Sequence, residues 1–174
     1  MICWRKNRTV RIILILIDME KKFELTDKFV FNTFGIKLFQ IKCTKSFKYA
    51  KEGDLGGYVE KDENLDQESN AWVYGDAWVY GNARVSGDAR VYGDADIEND
   101  NNHCGFDCFG SCNRHTHAYL TKDNKVEITC GCFRGSIEEF EKKVEKTHSG
   151  TIYEKQYKAI INVIKIKFGL TDLI

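Results

Sequence analysis

Between Ala71 and Ala95 the chain alternates small apolar residues with larger or polar ones, and the pattern returns every six residues. Alternation of this kind is the period of an extended strand, so one set of side chains is predicted to point inward. A Gly-Asp or Gly-Asn pair ends each hexad and indicates a corner, because Gly tolerates a positive φ. The predicted inward set is Ala71, Val73, Ala77, Val79, Ala83, Val85, Ala89, Val91, Ala95 and Ile97.

These hexads, across residues 71–100, resemble the hexapeptide-repeat left-handed parallel β-helix, in which three hexads make one coil. The resemblance implies a mainly β fold built around a short left-handed β-helix. Five hexads give fewer than two coils, so both ends of the stack need caps from the rest of the chain.

If a coil is 18 residues long, positions 18 apart lie on neighbouring strands. Trp72 then lies beside Arg90, and Tyr74 beside Tyr92. Large aromatic residues and Arg are enriched at protein interfaces, so these four residues are the predicted partner-binding set. The alternative is that the pairs only stiffen the sheet, since cross-strand aromatic pairs stabilise sheets by themselves.

The flanks of the repeat predict two further units. Two alternating segments, residues 29–32 and 37–43, predict an N-terminal β-hairpin cap. After the repeat, two short strands are followed by a capping box at Ser136 and two amphipathic helices, which end before Gly150 and Gly169. The predicted organisation is an upstream extension over 1–18, the hairpin and β-helix over 19–107, and a small α+β module over 108–174.

The lead-in at residues 51–60 and the C-terminal pattern CGCFxG…EF, which begins at Cys130, resemble segments of phage and prophage hexapeptide-repeat proteins of unassigned function. The resemblance covers residues 20–168. It implies a mobile-element setting and does not imply an activity.

Charge is distributed unevenly, although the formal net charge is zero. Residues 53–107 carry a net charge of −10, between flanks of +7 and +3. An acidic block favours a basic partner surface over direct contact with nucleic-acid phosphates. The longest apolar run, residues 12–17, is far short of the roughly 20 residues that cross a membrane, so we expect a cytoplasmic protein of the host cell with no membrane partner.

Cysteines and histidines concentrate between His103 and His148, which raises the possibility of a zinc site. The predicted ligands are Cys112, Cys130, Cys132 and His117. The alternative is that Cys130 and Cys132 are small residues at the junction of strand and helix. No catalytic residue is predicted, and no cofactor other than this possible zinc.

The function favoured by these observations is that of a non-enzymatic phage accessory protein. It would act as an anti-defence, anti-CRISPR-type inhibitor that binds a host nucleic-acid-targeting protein. Two alternatives stay open. A hexapeptide acyltransferase would share the coil, but residues 71–100 contain neither the His nor the loop insertion of such enzymes. A self-assembling β-solenoid would stack through open coil edges.

Overall fold

A computed structural model describes residues 21–170, so the predicted extension over residues 1–18 lies outside the described residues. The chain begins with an antiparallel hairpin of β1 (Phe23–Phe31) and β2 (Lys37–Cys43), and β3 (Leu55–Val59) pairs antiparallel with β2. A 3₁₀ turn at Asp62–Asn64 leads from β3 towards the repeat.

The repeat contributes four strands of two residues each, and these strands belong to two different sheets. They are β4 (Trp72–Val73), β5 (Trp78–Val79), β6 (Arg90–Val91) and β7 (Asp96–Ile97). One sheet has the order β1-β2-β3-β5-β7, and β4 pairs with β6 in a separate two-stranded sheet. Trp72 pairs with Arg90 and Trp78 with Asp96, both in parallel.

The predicted fold class, a short left-handed parallel β-helix, is wrong. The described residues form a mainly β protein with eleven strands in three sheets and two helices, and these sheets do not form a solenoid. The physical reason is the small number of hexads. With so few coils, the parallel pairs at β3, β5 and β7 complete their sheet through the antiparallel hairpin and not through further coils.

Burial within the repeat follows the predicted alternation. All ten residues of the predicted inward set are buried, none more than 3% exposed, which confirms that part of the prediction. They pack in one cluster with Phe23, Ile41, Val59 and Leu65. The hairpin and the repeat therefore share one hydrophobic core.

The C-terminal part is an antiparallel sheet of order β11-β10-β9-β8 with two helices packed on it. Its strands are β8 (His103–Phe109), β9 (Arg114–Leu120), β10 (Val126–Cys130) and β11 (Phe133–Ser136). The helices are α1 (Ile137–His148) and α2 (Ile152–Lys167). None of the helices over residues 21–170 is both long and apolar enough to cross a membrane.

The start of α1 confirms the predicted capping box. The Ser136 hydroxyl accepts a hydrogen bond from the Glu139 backbone N–H, and the Glu139 carboxylate accepts from the Ser136 N–H. Two donors that the helix leaves unpaired are satisfied in this way. Gly150 and Gly169 follow the two helices with a positive φ, as expected for residues that end a helix.

Contacts between the repeat and the C-terminal sheet hold the two parts together. The Thr129 hydroxyl donates to the Arg90 carbonyl over 3.2 Å, and the Tyr92 backbone N–H donates to the Tyr119 hydroxyl over 3.3 Å. Arg90 also donates to the Gly131 carbonyl. One end of the repeat is thus covered by β9 and its neighbours, an arrangement that does not favour end-to-end stacking.

Candidate protein-binding groove

The predicted partner-binding set does not form an exposed patch. Trp72 is only 1% exposed, because Phe23 and Phe47 pack against its ring at centroid distances of 6.5 and 5.5 Å. The prediction that Trp72 points outward to a partner is therefore wrong. The loop after β2 covers the indole, and the repeat pattern contains no signal for such a long-range contact.

The other three predicted residues lie at the junction of the repeat and the C-terminal sheet. Tyr74 and Tyr92 stack with ring centroids 4.3 Å apart, in the 18-residue register that the sequence predicts. The Tyr74 hydroxyl donates to the Tyr49 carbonyl over 3.0 Å, and the Arg90 guanidinium lies 5.2 Å from the Tyr49 ring. These partly buried side chains already have partners within the chain.

The predicted zinc ligands are not brought together, and no set of three or more His, Cys, Asp or Glu side chains in residues 21–170 is arranged to hold a metal. Cys130 faces the helices, where its thiol lies 3.8 Å from the Tyr157 hydroxyl. His117 is on the opposite face of the sheet, because it pairs with Thr129, which bonds to the repeat. Cys112 and Cys132 are exposed and line a cavity of about 450 Å³.

His117 instead belongs to a cluster of imidazoles between the sheet and the repeat. Its Nε2 lies 3.0 Å from Nδ1 of His103, and the His115 ring centroid is 5.8 Å from that of His117. Burial lowers the pKa of His117 well below its usual value, and the neighbouring His103 and His115 lower it further. Burial also lowers the pKa of His103, although Asp100 opposes this shift.

This cluster predicts a loss of stability in mild acid. His103 and His117 bind protons less readily in the folded protein than in the unfolded chain. The free energy of unfolding therefore decreases as the pH falls below about 6.5, the usual pKa of histidine. Denaturant unfolding at a pH of about 7.5 and about 5.5 should show this loss, at up to about 1.4 kcal/mol per pH unit for each imidazole. The variant His117→Asn should lose less stability between these two pH values. If its stability depends on pH as that of the wild type does, His117 is not the source of the loss.

The most exposed large apolar side chain of the described residues is Phe34, in the turn between β1 and β2, and it is 76% exposed. The turn is well defined. The Asn32 side-chain oxygen accepts from the backbone N–H groups of Phe34 and Ile36, each over 2.9 Å, and Gly35 has a φ of +78°. The sequence therefore fixes Phe34 at the end of the hairpin without covering its ring.

Phe34 lies at the edge of a groove of about 300 Å³. Three segments far apart in sequence line it: the hairpin turn, the outward face of the repeat and the turn between β9 and β10. The lining residues are Thr33, Phe34, Tyr80, Asp96, Glu98, Asn102, Leu120, Thr121, Lys122 and Asn124.

Two carboxylates give the groove its charge. Ile97 is fully buried, so the strand alternation places Asp96 and Glu98 together on the outward face. The Glu98 carbonyl accepts from the backbone N–H groups of Asn82 and Ala83 over 3.0 and 3.2 Å, which fixes the backbone there. Within residues 21–170, Oδ1 of Asp96 is inaccessible to solvent and has no hydrogen-bond partner.

The other charged group of the groove does not neutralise these carboxylates directly. The Lys122 ammonium lies 3.8 Å from the Trp78 ring centroid and donates to the Asp76 carbonyl over 2.9 Å. Burial raises the pKa of Tyr80, and the adjacent Asp96 raises it further, so this phenol stays neutral. Two carboxylates beside an exposed aromatic ring are suited to binding a guanidinium or ammonium group.

Sequence reasoning predicted an acidic surface but missed this groove and Phe34. The available signal was the Asn-Thr-Phe-Gly turn, which places a large apolar residue where polar residues are usual. Neither a protein-family model nor a curated protein sequence matches the chain. Functional inference therefore depends on the chemistry of the groove.

Proposed function

We propose that the protein is a non-enzymatic binding protein whose groove receives a basic side chain of a partner protein. The observation that carries this proposal is a pair of carboxylates, Asp96 and the exposed Glu98, that line the groove beside the exposed Phe34. Hydrogen bonds between an ammonium or guanidinium group and a carboxylate are among the strongest in proteins, so these carboxylates favour a bound cation. Phe34 would cover the aliphatic part of the bound side chain.

The partner we propose is a host nucleic-acid-targeting defence complex, which the protein would inhibit as a phage or prophage accessory protein in the host cytoplasm. Complexes of this kind bind phosphates through Lys and Arg, so they offer the basic surface that an acidic groove requires. The sequence resemblance to phage proteins supports the same setting. An acidic groove also disfavours direct contact with nucleic acid.

The functional test is phage plating on a bacterial host whose CRISPR-type immunity restricts that phage. Expression of the wild-type protein should restore plating, whereas the double variant Phe34→Ala with Glu98→Lys should not. With the purified effector complex, the double variant should bind at least about 30-fold more weakly, which corresponds to about 2 kcal/mol. Raising the salt from about 0.1 M to about 1 M should also weaken wild-type binding, because screening shortens from about 10 to about 3 Å.

The matched control is Glu63→Lys, since Glu63 is an exposed carboxylate of the same acidic block but does not line the groove. It makes the same change in net charge and should retain both plating and affinity. Equal loss in the control and the double variant would show that only overall charge matters. If the wild-type protein neither restores plating nor binds the complex, the proposed partner is wrong.

A further inference from the structure

Helix α2 has two apolar faces, and residues 21–170 cover only one of them. The covered face carries Tyr157, Ile160, Ile161 and Ile164, which are buried against the C-terminal sheet and α1. The other face carries a row of exposed apolar residues, which we call the α2 stripe: Ile152, Ala159, Val163 and Ile166, followed by Leu170 just beyond the helix. The four larger side chains of the stripe are 49–61% exposed.

The spacing of the α2 stripe is that of a coiled-coil seam. Ile152, Ala159 and Ile166 are seven residues apart, and Val163 and Leu170 form a second series with the same period. Together with Gln156 the row alternates steps of four and three residues, which keeps one seam facing a partner helix. Leu170 extends the row past the helix, since its backbone N–H donates to the Lys165 carbonyl over 2.8 Å.

We infer that the α2 stripe packs against the α2 stripe of a second copy of the chain, with the two helices antiparallel. In that arrangement Ile152 of one copy lies opposite Leu170 of the other, and Ala159 lies opposite Val163. The remaining layer places Gln156 opposite Ile166. The first two of these layers are apolar on both sides, and the small side chain of Ala159 allows the helices to approach closely.

The charges beside the stripe are compatible with a second copy. Lys158 is already paired with Glu154 at 2.7 Å, and Lys165 with Glu141 at 2.7 Å, so these lysines do not require an acidic partner. In an antiparallel coiled coil, each position that flanks the seam faces a position of the same type on the other helix. Lys155 therefore faces Gly169 of the other copy, and Lys167 faces Tyr153. No like charges are brought together.

The expected dimer is weak. α2 is about 24 Å long, and one pair of such helices buries less surface than the roughly 1,200–2,000 Å² of a standard interface. Dimerisation should therefore be concentration-dependent, with monomers dominant when the protein is dilute.

Sedimentation of the full chain between about 5 and about 500 µM tests the inference, because a weak dimer has its dissociation constant in this range. The average mass should rise towards twice 20.1 kDa in the wild type. Val163→Glu should raise the dissociation constant at least about 10-fold, because a buried charge disfavours the seam. Circular dichroism should show that this variant still folds, as Val163 is exposed in the monomer.

Two controls distinguish dimerisation through the α2 stripe from non-specific association and from the proposed function of the groove. Phe31→Glu makes the same kind of change at another exposed apolar residue and should dimerise as the wild type does. Glu98→Lys alters the groove and should also leave dimerisation unchanged. A wild-type protein that stays monomeric at the highest concentration, or a dimer that Val163→Glu does not weaken, would overturn the inference.

Discussion

Replacing Val91 with Asp should unfold the repeat and the hairpin together. Val91 is fully buried in the core that both segments share, and its neighbours in that core are apolar side chains. Burying an unpaired charge is among the few single changes that cost more than about 4 kcal/mol. The alternative is that the core loses its packing so that water can reach the carboxylate. Urea unfolding followed by circular dichroism should show this loss, or no folded population at all.

The matched control for this change is Ser86→Asp. Ser86 is an exposed residue of the same repeat, so the same new carboxylate stays in water and stability should change by no more than about 0.5 kcal/mol. Equal tolerance of both substitutions would contradict the assignment of inward and outward residues.

The contrast between these two residues shows what local sequence pattern can predict. Val91 and its equivalents could be assigned to the core because alternation is a property of neighbouring residues on one strand. The same pattern says nothing about which strands become neighbours. The fold class was predicted wrongly because β3 joins the repeat to an antiparallel hairpin, and this pairing depends on residues far away in the sequence.

The groove could not be predicted for a similar reason. Phe34, Asp96 and Lys122 come from three separate segments, and only the packing of the hairpin and of the β9–β10 turn against the repeat brings them together. The charge of the groove was predictable from composition, since it lies largely within the acidic block. Its shape and the exposed ring were not.

The zinc prediction was wrong for a reason that the strand pattern already contained. Thr116 and His117 are adjacent on β9, and Cys130 pairs with Thr116, so His117 and Cys130 belong to opposite faces of the sheet. Close spacing of Cys and His in the sequence does not place them on one face. The two strands were predicted, but their register, which places Cys130 opposite Thr116, was not used in choosing the ligands.

Lys22 was also missed, although it fixes the lead-in to the repeat. Its side chain is 5% exposed, and its ammonium donates to the carbonyls of Asp66, Ser69 and Ala71. Burial lowers the pKa of Lys22 to about 8. A lysine near the start of a strand would usually be assigned to the surface, because Lys is seldom buried.

The last prediction concerns Gly57, which lies in β3 where that strand packs against the repeat. A Cβ atom at this position would lie 2.6 Å from Cγ1 of Val73 and 2.8 Å from the backbone oxygen of Ala77. The first contact could be relieved by moving a side chain, but the second requires the repeat backbone to shift. Gly57→Ala should therefore destabilise the protein by about 3 kcal/mol, at the upper end of the range for overpacking.

Two further variants separate crowding from other effects of replacing a glycine. Gly53→Ala has open space around the added methyl group but a φ of +90°, so it should cost only about 1–2 kcal/mol of backbone strain. In the double variant Gly57→Ala with Val73→Ala, the contact with Cγ1 is gone, and the combined loss should be smaller than the sum of the two single losses. Strict additivity in urea unfolding would mean that the Val73 side chain does not limit the approach of β3. A Gly57→Ala protein as stable as the wild type would show that the repeat backbone moves away at little cost, and the close packing of β3 against the repeat would then contribute little to the stability of the fold.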